Sequence, residues 1–131
     1  GVVYFRYSDF GVSLLSQGIA ANVPWMRQNE EAVRAFLRVS RDAHAQALAD
    51  PAKAVDLLIR RLPEQARNRS VLLRQMELSK DAYVTAATRD KPFGFMAEED
   101  WETTQDTLVQ YGGLPRATPL DRLFTNAYQP S

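Results

Sequence analysis

The sequence predicts an α/β chain that is mostly helical, with about two strands near its N-terminus. Three observations carry this. Apolar residues recur at helical spacing from residue 29 onward, β-branched and aromatic residues cluster in the first seven positions, and Gly and Pro interrupt the chain where helices should stop. A length of 131 residues fits one domain or part of one.

The elements follow in order. Val2-Val3-Tyr4-Phe5-Arg6-Tyr7 reads as a strand closed by the turn cluster Ser8-Asp9-Phe10-Gly11. Gly18-Ile19-Ala20-Ala21-Asn22-Val23 reads as a second extended segment, ended by Pro24, whose ring favours extended geometry in the residue before it. Asn29 is placed to cap a helix with Glu30 and Glu31 in its first turn. Its apolar side should hold Val33, Phe36, Leu37, Ser40, Ala43, His44 and Ala47, with Glu30/Arg34 and Arg38/Asp42 as i,i+4 pairs on the other side.

Asp50-Pro51 is a cap followed by a proline at the first helical position, and Val55, Leu58, Ile59 and Leu62 form the stripe of the next helix, which Pro63 ends. A third helix spans residues 68–79. Residues 83–95 lack helical period and contain Pro92 and Gly94, so they are expected as an extended connection with room for a short strand. Glu98, Glu99 and Asp100 open a further helix with Trp101, Gln105, Leu108 and Val109 on one side. Gly112-Gly113 gives it a left-handed stop, and Thr118-Pro119 starts a last short helix through Leu120, Leu123 and Phe124.

Two strands with uncovered edges are marginal by themselves, because their outer backbone groups lack partners. With the start at Gly1-Val2-Val3 and no initiating Met, the expectation is a processed or truncated piece of a larger α/β protein.

Composition narrows the function classes. Sixteen basic and sixteen acidic residues leave no net charge, which disfavours nucleic acid and anionic lipid as partners. With no cysteine, disulfides and thiolate chemistry are excluded. No apolar run approaches the roughly 20 residues that span a bilayer. No phosphate loop, nucleophile elbow or zinc-protease motif occurs, so no catalytic residue, metal or cofactor is expected.

Individual residues carry alternatives. Asp9 with Tyr7, Ser8 and Phe10 can hydrogen-bond and stack on a heteroaromatic solute, or it can serve a turn in which Asp9 bonds local backbone and Gly11 supplies the bend. His44, the only histidine, suits a buried hydrogen-bonded role better than a metal site. Glu98, Glu99 and Asp100 suit a helix start better than paired catalytic acids. Arg60, Arg61, Arg67 and Arg69 form a solvated face or a docking patch. Trp25 and Trp101 are packing anchors or ligand platforms, with Trp25 the better ligand candidate.

The order of several motifs resembles the C-terminal portion of the solute-binding proteins of ABC importers for nitrate, taurine, alkanesulfonates and thiamine-pyrimidine precursors, a type II periplasmic-binding-protein group. The resemblance lies in Tyr7-Ser8-Asp9-Phe10-Gly11 followed by Gly18-Ile19-Ala20-Ala21, in Asn29-Glu30-Glu31-Ala32-Val33-Arg34-Ala35-Phe36-Leu37-Arg38, where Glu30 replaces a usual proline, and in Asp50-Pro51-Ala52-Lys53-Ala54. It continues through Gly94-Phe95-Met96, Trp101, Leu108, Gly112-Gly113-Leu114 and Leu123-Phe124-Thr125-Asn126-Ala127-Tyr128.

The resemblance implies a two-lobed fold that closes on a small anionic or heteroaromatic solute and docks on a membrane permease from the periplasm or cell surface. It further implies that residues 1–27 are hinge-return strands and that residues 28–131 are helices packing on the first lobe. The candidate ligand residues are then Tyr7, Ser8, Asp9, Phe10, Gly11 and Trp25, and the piece alone has scope for a strand-mediated dimer. Two alternatives stay open: an enzyme on the same scaffold, of pyrimidine-synthase, desulfinase or decarboxylase type, and a free-standing helical interaction module.

Overall fold

The structure is a computed structural model, which describes residues 3, 5–15 and 17–129. It contains five α-helices: α1 Val23–Gln28, α2 Glu30–Ala49, α3 Pro51–Arg61, α4 Arg69–Ser79 and α5 Glu98–Tyr111. Short 3-10 segments at Tyr7–Phe10, Pro63–Asn68, Lys80–Tyr83 and Leu120–Arg122 precede, connect or follow them.

Two of the helices, α1 and α3, begin at a side-chain cap followed by a proline. Asn22, in extended geometry, accepts the Trp25 N–H at 3.0 Å, and Pro24 sits in the first turn of α1. Residues 18–23 have the composition of a strand, but the same Pro24 that ends an extended stretch also suits a helix start. The Asn22 cap decides for the helix.

Asn29 occupies the cap position of α2 but does not cap it. Its side-chain amide donates instead to the Trp25 carbonyl at 2.8 Å, tying α2 back to α1. Asp50 does cap α3, accepting the Lys53 N–H at 3.0 Å, with Pro51 behind it. Three acids open α5 without a side-chain cap, complementing the helix dipole.

α3 is the centre of the helical array. It packs against both α2 and α4, and its Val55 is the one fully buried large side chain among the described residues, at 1% exposure. On the α4 side, Arg69 pairs with Asp56 at 2.8 Å, and that hydrogen bond lowers the Asp56 pKa and raises that of Arg69.

α5 is held by polar side chains. Its buried Thr104 and Gln105 each accept a backbone N–H from a remote loop, that of Leu15 at 3.0 Å and that of Thr118. Asp100 accepts from the Thr85 hydroxyl at 2.7 Å, a structural role that matches the helix-start reading.

Several expectations are corrected. The mostly helical character is found, but no strand occurs among the described residues. Of the first expected strand, Gly1, Val2 and Tyr4 lie outside the described residues. Phe5 and Arg6 join no ladder, and Tyr7 opens a 3-10 turn. Residues 18–22 of the second take no regular secondary structure, and Val23 opens α1. Strand identity needs a neighbour to supply hydrogen bonds, and none of the described residues of 13–21 makes a backbone-to-backbone bond.

Residues 85–90 form turns rather than a short strand, with Thr85 and Thr88 bonded to each other. The last helix shrinks to the Leu120–Arg122 turn, capped by no side chain. Phe36 and Ala43 face outward rather than joining the inner stripe of α2. Neither Glu30/Arg34 nor Arg38/Asp42 pairs among the described residues; Arg41 meets Asp42 at 3.2 Å, and Arg34 lies 5.2 Å over the Tyr128 ring.

Candidate functional site

The candidate site is built on a tight reversal. Arg6 is extended, and the backbone N–H of Asp9 donates to its carbonyl at 3.1 Å. Gly11 then takes φ 77°, a left-handed conformation that glycine adopts without a Cβ penalty. There its N–H bonds the Ser8 carbonyl at 3.1 Å, and the Val12 N–H bonds that of Tyr7 at 3.0 Å. The bend expected of Gly11 is therefore present.

The turn spends its backbone groups internally and leaves its side chains free. Tyr7 is 78% exposed and Phe10 69%, and the Phe5 and Phe10 rings lie 6.2 Å apart, tilted by 48°. The Ser8 hydroxyl and Asp9 carboxylate make no hydrogen bond to the described residues, so the local-backbone role for Asp9 is not observed. Past the turn, residues 12–15 run to Thr104, which fixes the patch relative to α5.

Trp25 is half exposed on α1 and makes no ring contact with the aromatic residues of the turn among the described residues. The structure thus brings Tyr7, Ser8, Asp9, Phe10 and Gly11 together and leaves Trp25 separate. Open grooves of about 520 and 380 Å3 lie elsewhere along α5, sharing Glu102, and neither includes a residue of the turn or Trp25. The turn is chemically one wall: aromatic faces for stacking, with a carboxylate and hydroxyls for hydrogen bonding.

Two other clusters hold the scaffold. Asn126 accepts the Met96 N–H at 3.0 Å and donates to the Met96 carbonyl at 2.8 Å, while Gln129 donates to the Gly94 carbonyl at 2.6 Å. Two distant motifs therefore form one clasp, which no local pattern announces. His44 lies between the Phe93 ring, stacked at 4.0 Å, and the edge of Tyr83 at 4.3 Å. Burial lowers its pKa, and its buried Nε2 has no hydrogen-bond partner among the described residues, where a satisfied histidine was expected.

Trp101 stacks on Phe124 at 5.4 Å with the rings nearly parallel, as a packing anchor would. Among the described residues, no His, Cys, Asp or Glu cluster fits a metal ion. No helix there is long and apolar enough to cross a membrane.

Comparison with known proteins adds to this geometry. Residues 1–54 match the family described as NMT1/THI5 like, a span that holds the turn, α1, all of α2 and the start of α3. The riboflavin-binding protein RibY of Chloroflexus aurantiacus is 29% identical over 119 residues, covering 90% of this chain and 34% of that protein. The resemblance to ABC-type solute-binding proteins stands.

The chain spans about a third of the length of that relative. No solved structure matches it. Among the motifs that carry the resemblance, those in residues 7–38 lie within the family match, whereas the Met96 and Asn126 motifs lie beyond residue 54 and meet in the clasp.

Proposed function

We propose that this chain is part of the solute-binding component of an ABC import system, working in the periplasm or at the cell surface. The component captures a small heteroaromatic or anionic solute between two lobes and hands it to a membrane permease. In this reading residues 1–27 are the return through the hinge, the turn at residues 7–11 contributes to one wall of the cleft, and Trp25 is a further candidate contact set apart from the turn.

The observation that carries the reading is the family match over residues 1–54, which includes an aromatic turn whose Tyr7 and Phe10 rings are exposed beside the Asp9 carboxylate. Exposed rings beside a hydrogen-bonding group are what stacking on a planar solute requires. The relative named for riboflavin supports a heteroaromatic solute over nitrate or a sulfonate, since riboflavin carries a flat, uncharged ring system. It also supports binding rather than catalysis.

The lack of backbone-to-backbone bonds at the described residues of 13–21 supports the hinge role, because such a segment can be completed by strands from other parts of a protein. Calorimetric titration of the full-length protein with riboflavin, a thiamine-pyrimidine precursor, taurine and nitrate tests the proposal. One solute should bind at one equivalent per protein, with riboflavin the foremost candidate. Binding of none of the four would overturn the solute-binding reading.

A further inference from the structure

Thr104 carries the one hydrogen bond, among the described residues, that joins residues 3–21 to the helices: its hydroxyl oxygen accepts the Leu15 N–H at 3.0 Å. Packing adds little to that hold. Val12 is partly buried, and the other described residues from 3 to 21 are exposed. The next anchor along the chain is Asn22, which caps α1. Leu15 follows Gly11 by four residues, a reach of at most about 14 Å in extended chain, so the bond limits where the aromatic turn can stand relative to α5.

Two threonines of α5 use their hydroxyls differently. Thr107 bonds back to its own helix, donating to the Thr103 carbonyl at 2.9 Å, as a helical threonine readily does. Thr104, only 7% exposed, turns its oxygen instead to a residue 89 positions away. α5 is braced on both sides of this point. Gln105 accepts the Thr118 N–H, and Asp100 accepts the Thr85 hydroxyl at 2.7 Å.

We infer that Thr104 is a positioning residue for solute capture: by holding the Leu15 N–H it keeps the wall of Tyr7, Ser8, Asp9 and Phe10 in its binding orientation, and so sets solute affinity from a distance. The inference rests on the reading of this turn as part of the solute cleft. Without the bond, residues 3–21 pivot about Asn22 with Val12 as their remaining hold, and the binding-ready orientation becomes a smaller fraction of the ensemble. Apparent affinity falls by that same fraction, about three- to tenfold for one lost hydrogen bond.

Thr104→Val keeps the shape of the buried side chain and removes the oxygen, whereas Thr104→Ser keeps the oxygen. In the full-length protein, wild type and both variants are titrated by calorimetry with riboflavin, a thiamine-pyrimidine precursor, taurine and nitrate, beside thermal unfolding and hydrogen exchange of the Leu15 amide. Thr104→Val should bind the solute that the wild type binds about three- to tenfold more weakly, with faster exchange at Leu15 and a thermal midpoint close to the wild type's. Thr104→Ser should match the wild type in all three.

Wild-type affinity or unchanged Leu15 exchange in Thr104→Val would overturn the inference. So would a Thr104→Ser variant as weak as Thr104→Val, which makes side-chain volume the cause, or an affinity loss accompanied by an equal loss of fold stability, the mark of general loosening. Each of those outcomes leaves solute binding by the wild type in place and spares the functional reading. A wild type that binds none of the four solutes sinks that reading, and this inference with it.

Discussion

Asn126 closes the chain's C-terminal region onto residues 94–96 by offering its amide as a stand-in for a backbone strand, donating to and accepting from the same residue, Met96. Replacing Asn126 with Ala leaves a part-buried N–H and carbonyl unsatisfied, at a cost of about 1–3 kcal/mol. Thermal unfolding of the full-length protein should show the loss, and an unchanged midpoint would remove the clasp from the account.

His44 makes a pH-dependent contribution whose sign follows from its surroundings. Its pKa is lowered from 6.5 by burial against Phe93 and Tyr83, so the folded state binds its proton less readily than the unfolded state. The stability this histidine permits is fully present above about pH 6.5 and falls as the pH drops below that value through the folded pKa. Replacement with Phe keeps the aromatic stack and should flatten the stability profile between pH 7 and pH 5.5. A profile as steep as the wild type's would contradict the burial argument.

At the ligand wall, Tyr7→Ala and Phe10→Ala each remove one exposed ring. Each should weaken solute binding by about 0.5–1.5 kcal/mol or more while leaving the thermal midpoint nearly unchanged, because these rings contribute little packing within the chain. Titration calorimetry beside thermal unfolding separates the two effects.

At the scale of elements, starts and stops were the most legible features. Asp50-Pro51 was readable as a helix start because the cap and the proline are both local, and Asp50→Ala should cost about 1 kcal/mol in thermal unfolding. The stop at Gly112-Gly113 was also local. Gly113 takes φ 77°, whereas a Cβ on Gly112 would come within 2.7 Å of Leu108 Cδ2, and the Gly112 and Leu114 N–H groups both reach the Leu108 carbonyl.

What the sequence could not show depended on distant partners. Residues 2–7 and 18–23 have the composition of strands, but composition does not supply the neighbour that a ladder needs. α1 was hidden because Pro24 is compatible with both the end of an extended segment and the first turn of a helix. The outward facing of Phe36 and Ala43 was hidden for a related reason: both fit one broad apolar face of α2 on paper, and only the packing of α3 separated them from it. In the candidate site, the turn and the bend at Gly11 were legible from residue types; the anchoring of residues 12–15 through Thr104 was not, since a helical threonine carries no such signal.

At the scale of the whole molecule, one physical fact organises the rest. Five helices enclose a single fully buried large side chain among the described residues, while aromatic and aliphatic groups from Phe5 to Tyr111 remain exposed. Such a chain leaves apolar surface that further protein could cover. The proposed binding protein supplies a reason: one lobe covers the helices, strands complete residues 13–21, and a solute occupies the space beside the aromatic turn. Equilibrium dialysis of the full-length protein against riboflavin, followed by denaturation and chemical analysis of the released solute, tests this most directly. One equivalent should be retained and recovered unaltered; a protein that retains none, or that returns a chemically changed product, would contradict solute binding without turnover.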